Sequence, residues 1–182
     1  RNHLYHRPML PDLIVRKGGK SELAALEWDG EFSHFRYLFK DVYHQSMLGR
    51  AEILIAEIPP HKLIGQLLIS LNSSRTELAD GKTRAYLFGF RVRPSYRNLG
   101  VGSTMLRIIE ADLANRDFRL LTLNVSQDNQ PARLFYERQG YQVVGSDPGQ
   151  WSYIDQHGNR VNVNEPAWRM TKEITSSILS NS

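Results

Sequence analysis

The stretch RVRPSYRNLGVGSTML (residues 91–106) decides how this chain is read, because it sets two glycines at a helix start directly behind three arginines. The first N–H groups of a helix have no backbone partner, and the helix dipole adds partial positive charge there. A phosphate fits at such a place if side chains stay clear, and Gly100 and Gly102 remove two of them. Alternating glycines also allow the positive φ values that build an amide nest, and Arg97 stands three residues ahead to add charge-assisted contacts. The same letters also spell an ordinary strand-to-helix turn shaped by Pro94, so the surroundings have to choose.

Two nucleotide-binding loops are tested by inspection. A Walker loop needs a lysine and then Ser or Thr after its last glycine, whereas Ser103 and Thr104 follow here with no lysine nearby. A Rossmann fingerprint needs a third small residue where Met105 stands, and it opens the first crossover of its fold rather than following a hairpin.

Outward from the glycines, the pattern predicts an ordered series of elements. The helix from Gly100 to about Ala114 places Val101, Met105, Ile108, Ile109 and Leu113 on one face. RAYLFGFRV before it and RLLTLNV after it read as strands, and a strand, a helix and a strand joined by short turns form a right-handed crossover with parallel strands. PARLFYERQ reads as a helix ending at Gly140, followed by the strand YQVVG. Upstream, LIVRK is a short strand, SELAALEW a short helix capped by Ser21, and FSHFRYLFKDVYHQSML a second helix. AEILIAEI and KLIGQLLISLN flank PPHK as a hairpin of largely buried antiparallel strands, and NSSRTELADGKT is a polar loop. The tail suggests a hairpin turning at DQHGN and a last strand near Trp168.

Composition bounds the possibilities. With 182 residues, 41% hydrophobic and 23% charged, residues 1–182 are expected to form one domain. There is no cysteine, which excludes disulfides, thiolate metal sites and a cysteine nucleophile. The beginning, RNHLYHRPMLPDL, lacks an apolar core of signal-peptide length, and the most apolar run is interrupted by Gly65, Gln66 and Ser70, so a cytoplasmic protein with no membrane partner is expected. The six histidines, His3, His6, His34, His44, His61 and His157, show no ligand spacing, so no metal site is expected. Without a G-x-S-x-G elbow, a hydrolase triad has no support. The net charge of +4 lies entirely between Arg84 and Arg138, where nine basic residues face five acidic ones. Such a segment attracts small polyanions or nucleic acid, although no nucleic-acid motif accompanies it.

The composite V-R-P-S-Y-R-N-L-G-V-G, then a strand, then N-Q-P-A-R-L-F-Y-E-R-Q-G-Y resembles the GNAT superfamily of acyl-CoA-dependent N-acetyltransferases. The family pattern is V-x-P-x-x-R-x-x-G-x-G followed by N-x-x-A-x-x-[LF]-Y-x-x-x-G-[FY], and the match covers about residues 86–141. The resemblance implies a mixed α/β fold: a central, mostly antiparallel sheet with one parallel strand pair and flanking helices. It implies acetyl-CoA as cofactor, its pyrophosphate cradled by amides of Arg97, Asn98, Leu99, Gly100, Val101, Gly102 and Ser103. Main-chain groups of Phe90, Arg91 and Val92 would pair with the pantetheine arm, and Asn129, also a plausible helix cap, would contact it. The side chains of Arg91 and Arg93 are expected to face solvent.

The implied reaction is direct attack of a neutral amine on the thioester in a ternary complex. Tyr136 is the expected general acid: its reference pKa of about 10 against about 8.5 for a thiol allows a stabilising hydrogen bond or concerted transfer. A carboxylate base is missing from the adjoining strands, where Asn124 stands at a position that is often acidic in the family. Glu27 is the expected base, with Asp29, Glu31 or a water held by Tyr86 as alternatives. Trp28, Tyr86, Phe88, Trp151 and Tyr153 are the expected acceptor-binding residues, and the acceptor is a primary amine of a small molecule, peptide or protein. The alternatives are a non-catalytic acyl-CoA sensor and, behind it, a basic nucleic-acid-binding protein; among partners, a second copy in a homodimer is left open.

Overall fold

The computed structural model describes residues 10–175. Its main sheet has seven strands in the order β1-β2-β3-β4-β5-β9-β6. They are β1 (Ile14–Lys17), β2 (Ala51–Ile58), β3 (Lys62–Ser70), β4 (Arg84–Val92), β5 (Leu120–Ser126), β6 (Gln142–Asp147) and β9 (Ala167–Glu173), with β7 (Gln150–Ile154) and β8 (Arg160–Asn164) as a separate hairpin. Three helices, α1 (Arg36–Met47), α2 (Val101–Asn115) and α3 (Gln130–Arg138), flank the sheet. Only the β4–β5 pair is parallel; every other ladder is antiparallel. The mixed, mostly antiparallel sheet that the family resemblance implies is therefore present, with the parallel pair expected from the crossover.

The continuous apolar runs of β2 and β3 are explained by burial on both faces. On β2, Ile53 and Ile55 pack with Phe39 and Val42 of α1, while the intervening Leu54 and Ala56 join Met105, Leu106 and Ile109 of α2 in the larger core. The alternation of a pleated strand thus divides one apolar sequence between two cores.

Local readings change in three places. SELAALEW does not form an α-helix: two 3₁₀ turns, Lys20–Glu22 and Ala25–Gly30, take its place, with Trp28 and Asp29 at positive φ. Gly19 rather than Ser21 occupies the cap position, its amide donating to Glu22 Oε2 at 2.6 Å. On α2 the buried face runs through Val101, Met105, Leu106, Ile109 and Leu113, and Ile108 is exposed. Gly140, at φ +97°, ends α3 as expected, with the Tyr141 amide reaching back to the Tyr136 carbonyl. The tail hairpin turns at residues 155–159, where the Asp155 carboxylate accepts the His157 and Asn159 amides.

No helix among the described residues is long and apolar enough to cross a membrane. His3 and His6 lie outside the described residues. Among those described, no cluster of three or more His, Asp or Glu is placed to hold a metal ion.

Candidate active site

The site begins where the parallel ladder stops. Pairing of β4 with β5 runs from Arg84↔Leu120 to Leu87↔Leu123 and ends there, although β5 continues to Ser126 against β9. On its other side β4 stays paired to β3, with a register shift between Gln66 and Leu68 and Gly89 at φ +59°. A Cβ at Gly89 would come within 2.9 Å of Leu68, so the irregularity depends on glycine. Beyond Leu87 and Leu123 the two strands therefore separate, and the gap opens into a cavity of about 580 Å³. Its walls include Phe88, Phe90 and Arg91 of β4, Asn124 of β5, Asn129 at the cap of α3, Tyr136 of α3, and Trp151 of β7.

At the start of α2, the first helical hydrogen bond is Thr104 N–H to the Gly100 carbonyl, at 3.0 Å. Among the described residues, the amides of Asn98, Leu99, Gly100, Val101, Gly102 and Ser103 meet no protein acceptor. Asn98 and Gly100 both have positive φ (62° and 81°), the alternation that turns successive N–H groups toward one concavity. Arg97 is exposed and folds back, its Nε donating to the Val92 carbonyl at 2.9 Å. The two glycines have different jobs. A Cβ at Gly100 would meet nothing within 4 Å, so that position is glycine for its backbone conformation. A Cβ at Gly102 would instead sit 3.4 Å from Phe135 and 3.5 Å from Phe90, so Gly102 lets α2 pack closely on β4 and α3. Ser103 Oγ accepts from Gln139 Nε2 at 3.0 Å, tying the same helix start to the end of α3.

At the far end, Tyr136 packs against Phe90, Phe135 and Tyr141. Burial, reinforced by neighbouring Tyr86, pushes its hydroxyl pKa well above the ordinary tyrosine value, which keeps the proton in place. Asn129 caps α3, its Oδ1 accepting the Ala132 amide at 3.2 Å, and it also lines the cavity. Tyr86 and Phe88 stack at 5.6 Å with their planes 10° apart, both on the cavity wall, as their alternation on β4 leads one to expect.

Other expected residues lie elsewhere. Glu27 is off the cavity wall, gripped by Arg36 through hydrogen bonds of 3.0 and 2.8 Å. That pairing lowers its pKa, so Glu27 is a structural anion and a poor base. Trp28 is buried at 4% exposure, its Nε1 donating to Gln66 Oε1 at 2.8 Å, and it belongs to the core under α1 rather than to the acceptor cleft. Tyr153 lies behind the wall and holds Phe35 and Trp151, at ring distances of 4.9 and 5.4 Å. Arg91 and Arg93 do not face solvent: Arg91 lies over the rings of Phe32 and Phe35, and Arg93 donates to the Leu63 carbonyl and covers Trp28.

Sequence reasoning missed Arg75, Asp147 and Glu165, which all line the cavity. Asp147, 6% exposed, accepts from Arg75 at 2.9 Å, from the Gly149 amide at 2.8 Å and from Arg169, which also donates to Asn124. Asn124 and Tyr86 both line the same wall. Glu165 lies in the turn between β8 and β9, exposed and free of ion pairs among the described residues. The only hint in the sequence is Gly149, where a Cβ would overlap the Glu165 carbonyl.

Residues 21–141 match the model of the Acetyltransferase (GNAT) family. The chain belongs to that family. A curated relative, the 5-NmdU N-acetyltransferase of Pseudomonas phage PaMx11, is 36% identical over 75 residues, 41% of this chain. The aligned stretch spans half the length of that relative. Among solved structures, the ribosomal-protein-S18-alanine N-acetyltransferase from Escherichia coli matches at a TM-score of 0.67 with 18% identity, over 91% of this chain and 96% of that one. Arabidopsis thaliana NAA60 in complex with acetyl-CoA matches at 0.65 with 20% identity, over 89% of this chain and 98% of that one. These two likenesses show a shared fold.

Proposed function

We propose that the protein is an N-acetyltransferase that moves an acetyl group from acetyl-CoA to a primary amine. The reading rests on two observations taken together: the amides at residues 98–103 meet no acceptor among the described residues, and Tyr136 lines the cavity that opens where the β4–β5 pairing ends. The fit to coenzyme A is chemical: a nest of free N–H groups suits its phosphates, and the unpaired edge of β4 at Phe90, Arg91 and Val92 suits its amide-bearing arm.

When bound, acetyl-CoA supplies the activated acyl carbon that the amine attacks. Tyr136 Oη, kept protonated by burial, is the proton donor at the sulfur end of the cavity. For the proton leaving the amine, the wall carries two carboxylates. Asp147 is occupied: burial alone would raise its pKa, but the Gly149 amide and Arg75 overcome that and hold it below the usual range. Glu165 is the free one, and we assign it the base role, with a water ordered by Tyr86 and Asn124 as the competing path. The stacked rings of Tyr86 and Phe88, with Trp151 opposite them, receive the body of the acceptor.

Thiol release from acetyl-CoA across a panel of amines tests the reading, and 5-NmdU, the acceptor in the phage relative's name, belongs on that panel. Amine-dependent release is expected. Tight acetyl-CoA binding without release for any amine would point instead to a sensor.

A further inference from the structure

We propose that the acceptor amine is carried on a molecule bearing a negatively charged group, a carboxylate or a phosphate, and that the Arg91 side chain receives this group at the acceptor end of the cavity. The inference rests on the acetyl-transfer reading above and names the class of amine it serves.

Arg91 follows the irregularity at Gly89, which sends its side chain to the α1 face, while Phe90 and Val92 pack in the opposite core with α2. Its guanidinium therefore does not share a side of the sheet with the amide nest at residues 98–103. The guanidinium carbon lies 4.3 Å from the Phe32 ring centre and 5.4 Å from that of Phe35. Two rings restrict the orientation of the planar fork, as a site for bidentate anion recognition requires.

The charges around the wall single Arg91 out. Of the two arginines lining the cavity, Arg75 is engaged by Asp147 and Glu77, at 2.9 and 2.8 Å. The Arg91 guanidinium makes no hydrogen bond or ion pair among the described residues, and Glu31 acts on it only through space. Burial lowers its pKa, which a distant Glu31 offsets only in part, so the cation has lost water without gaining a carboxylate partner. Arg16, Arg36 and Arg116, by contrast, are paired, with Glu57 and Glu22, with Glu27, and with Glu52 and Asp112. A partly desolvated, unpaired guanidinium is costly. An anion arriving with the acceptor offsets that cost in the bound complex alone, which favours anionic amines over neutral ones and disfavours polycationic ones.

The test uses unreactive ring probes and reads binding rather than turnover. In the full chain saturated with coenzyme A, the affinities of 4-methylbenzoate, 4-methylphenyl phosphate and neutral 4-methylbenzamide are compared by titration calorimetry. At least one anion is expected to bind about tenfold or more tightly than the amide, about 1.4 kcal/mol, and whichever anion binds better identifies the group. In Arg91→Gln that preference is expected to vanish, and in Arg91→Lys part of it should survive. Equal binding of anions and amide by the wild type overturns the inference even if both variants misfold. So does a preference that persists in Arg91→Gln, or one that coenzyme A abolishes. Absence of thiol release would instead count against the acetyl-transfer reading, so the two failures are distinguishable.

Discussion

Asp147 on β6 and Arg75, 72 residues earlier in the loop after β3, meet at 2.9 Å on the cavity wall, with Arg169 on the same carboxylate oxygen. Removing one partner of a buried pair leaves the other charge uncompensated. Asp147→Asn should therefore cost about 3 kcal/mol, the low end for such a change because Arg75 is half open to water. Arg75→Met should cost about 1 kcal/mol or less. The folded pKa of Asp147 is depressed, so its contribution is complete above the unfolded value of about 3.9 and is lost as pH falls through the folded value. Urea unfolding of wild type and Asp147→Asn should show a constant gap from neutral pH down to about pH 5, closing only in stronger acid.

Tyr136→Phe keeps the ring contacts with Phe90, Phe135 and Tyr141 and removes only the hydroxyl. Steady-state kinetics should show kcat lower by roughly tenfold or more, with acetyl-CoA affinity within about a factor of two. An unchanged kcat removes Tyr136 as the proton donor.

Glu165→Gln separates the two routes for the amine's proton. With Glu165 as base, kcat should fall about 10²-fold. A near-normal kcat would assign the proton to a water held by Tyr86 and Asn124.

The glycines at the start of α2 should fail in different ways. Gly100→Ala forces a side chain to φ +81° in open space and should cost about 1–2 kcal/mol, or roughly 2–8 °C in Tm. Gly102→Val meets Phe90 and Phe135 and should cost about 1–3 kcal/mol by overpacking. Enlarging the space with Phe135→Leu should recover part of the loss in Gly102→Val and none in Gly100→Ala.

The sheet, its parallel pair and the glycine turn were legible because each follows from a local rule: apolar runs, a short crossover, positive φ at glycine. The acceptor side was not. Trp28 is aromatic and lies near the site in sequence, yet Gln66, 38 residues away, claims its N–H and holds it in the core. Glu27 likewise answers to Arg36, nine residues on. Asp147 ends β6 and Glu165 lies in the turn before β9, neither marked by any periodic pattern, and the pairing of β6 with β9 brings them to the cavity. Side-chain pairing across the sheet, which spacing along one chain does not encode, decides which carboxylates remain free.

The most direct measurement is an amide NMR titration with coenzyme A. The N–H signals of Asn98, Leu99, Gly100, Val101, Gly102 and Ser103 should move most, because those groups lack acceptors among the described residues and would gain them from the phosphates. Binding that leaves these six signals in place, or no binding at millimolar coenzyme A, would contradict the assignment of this cavity to acetyl transfer.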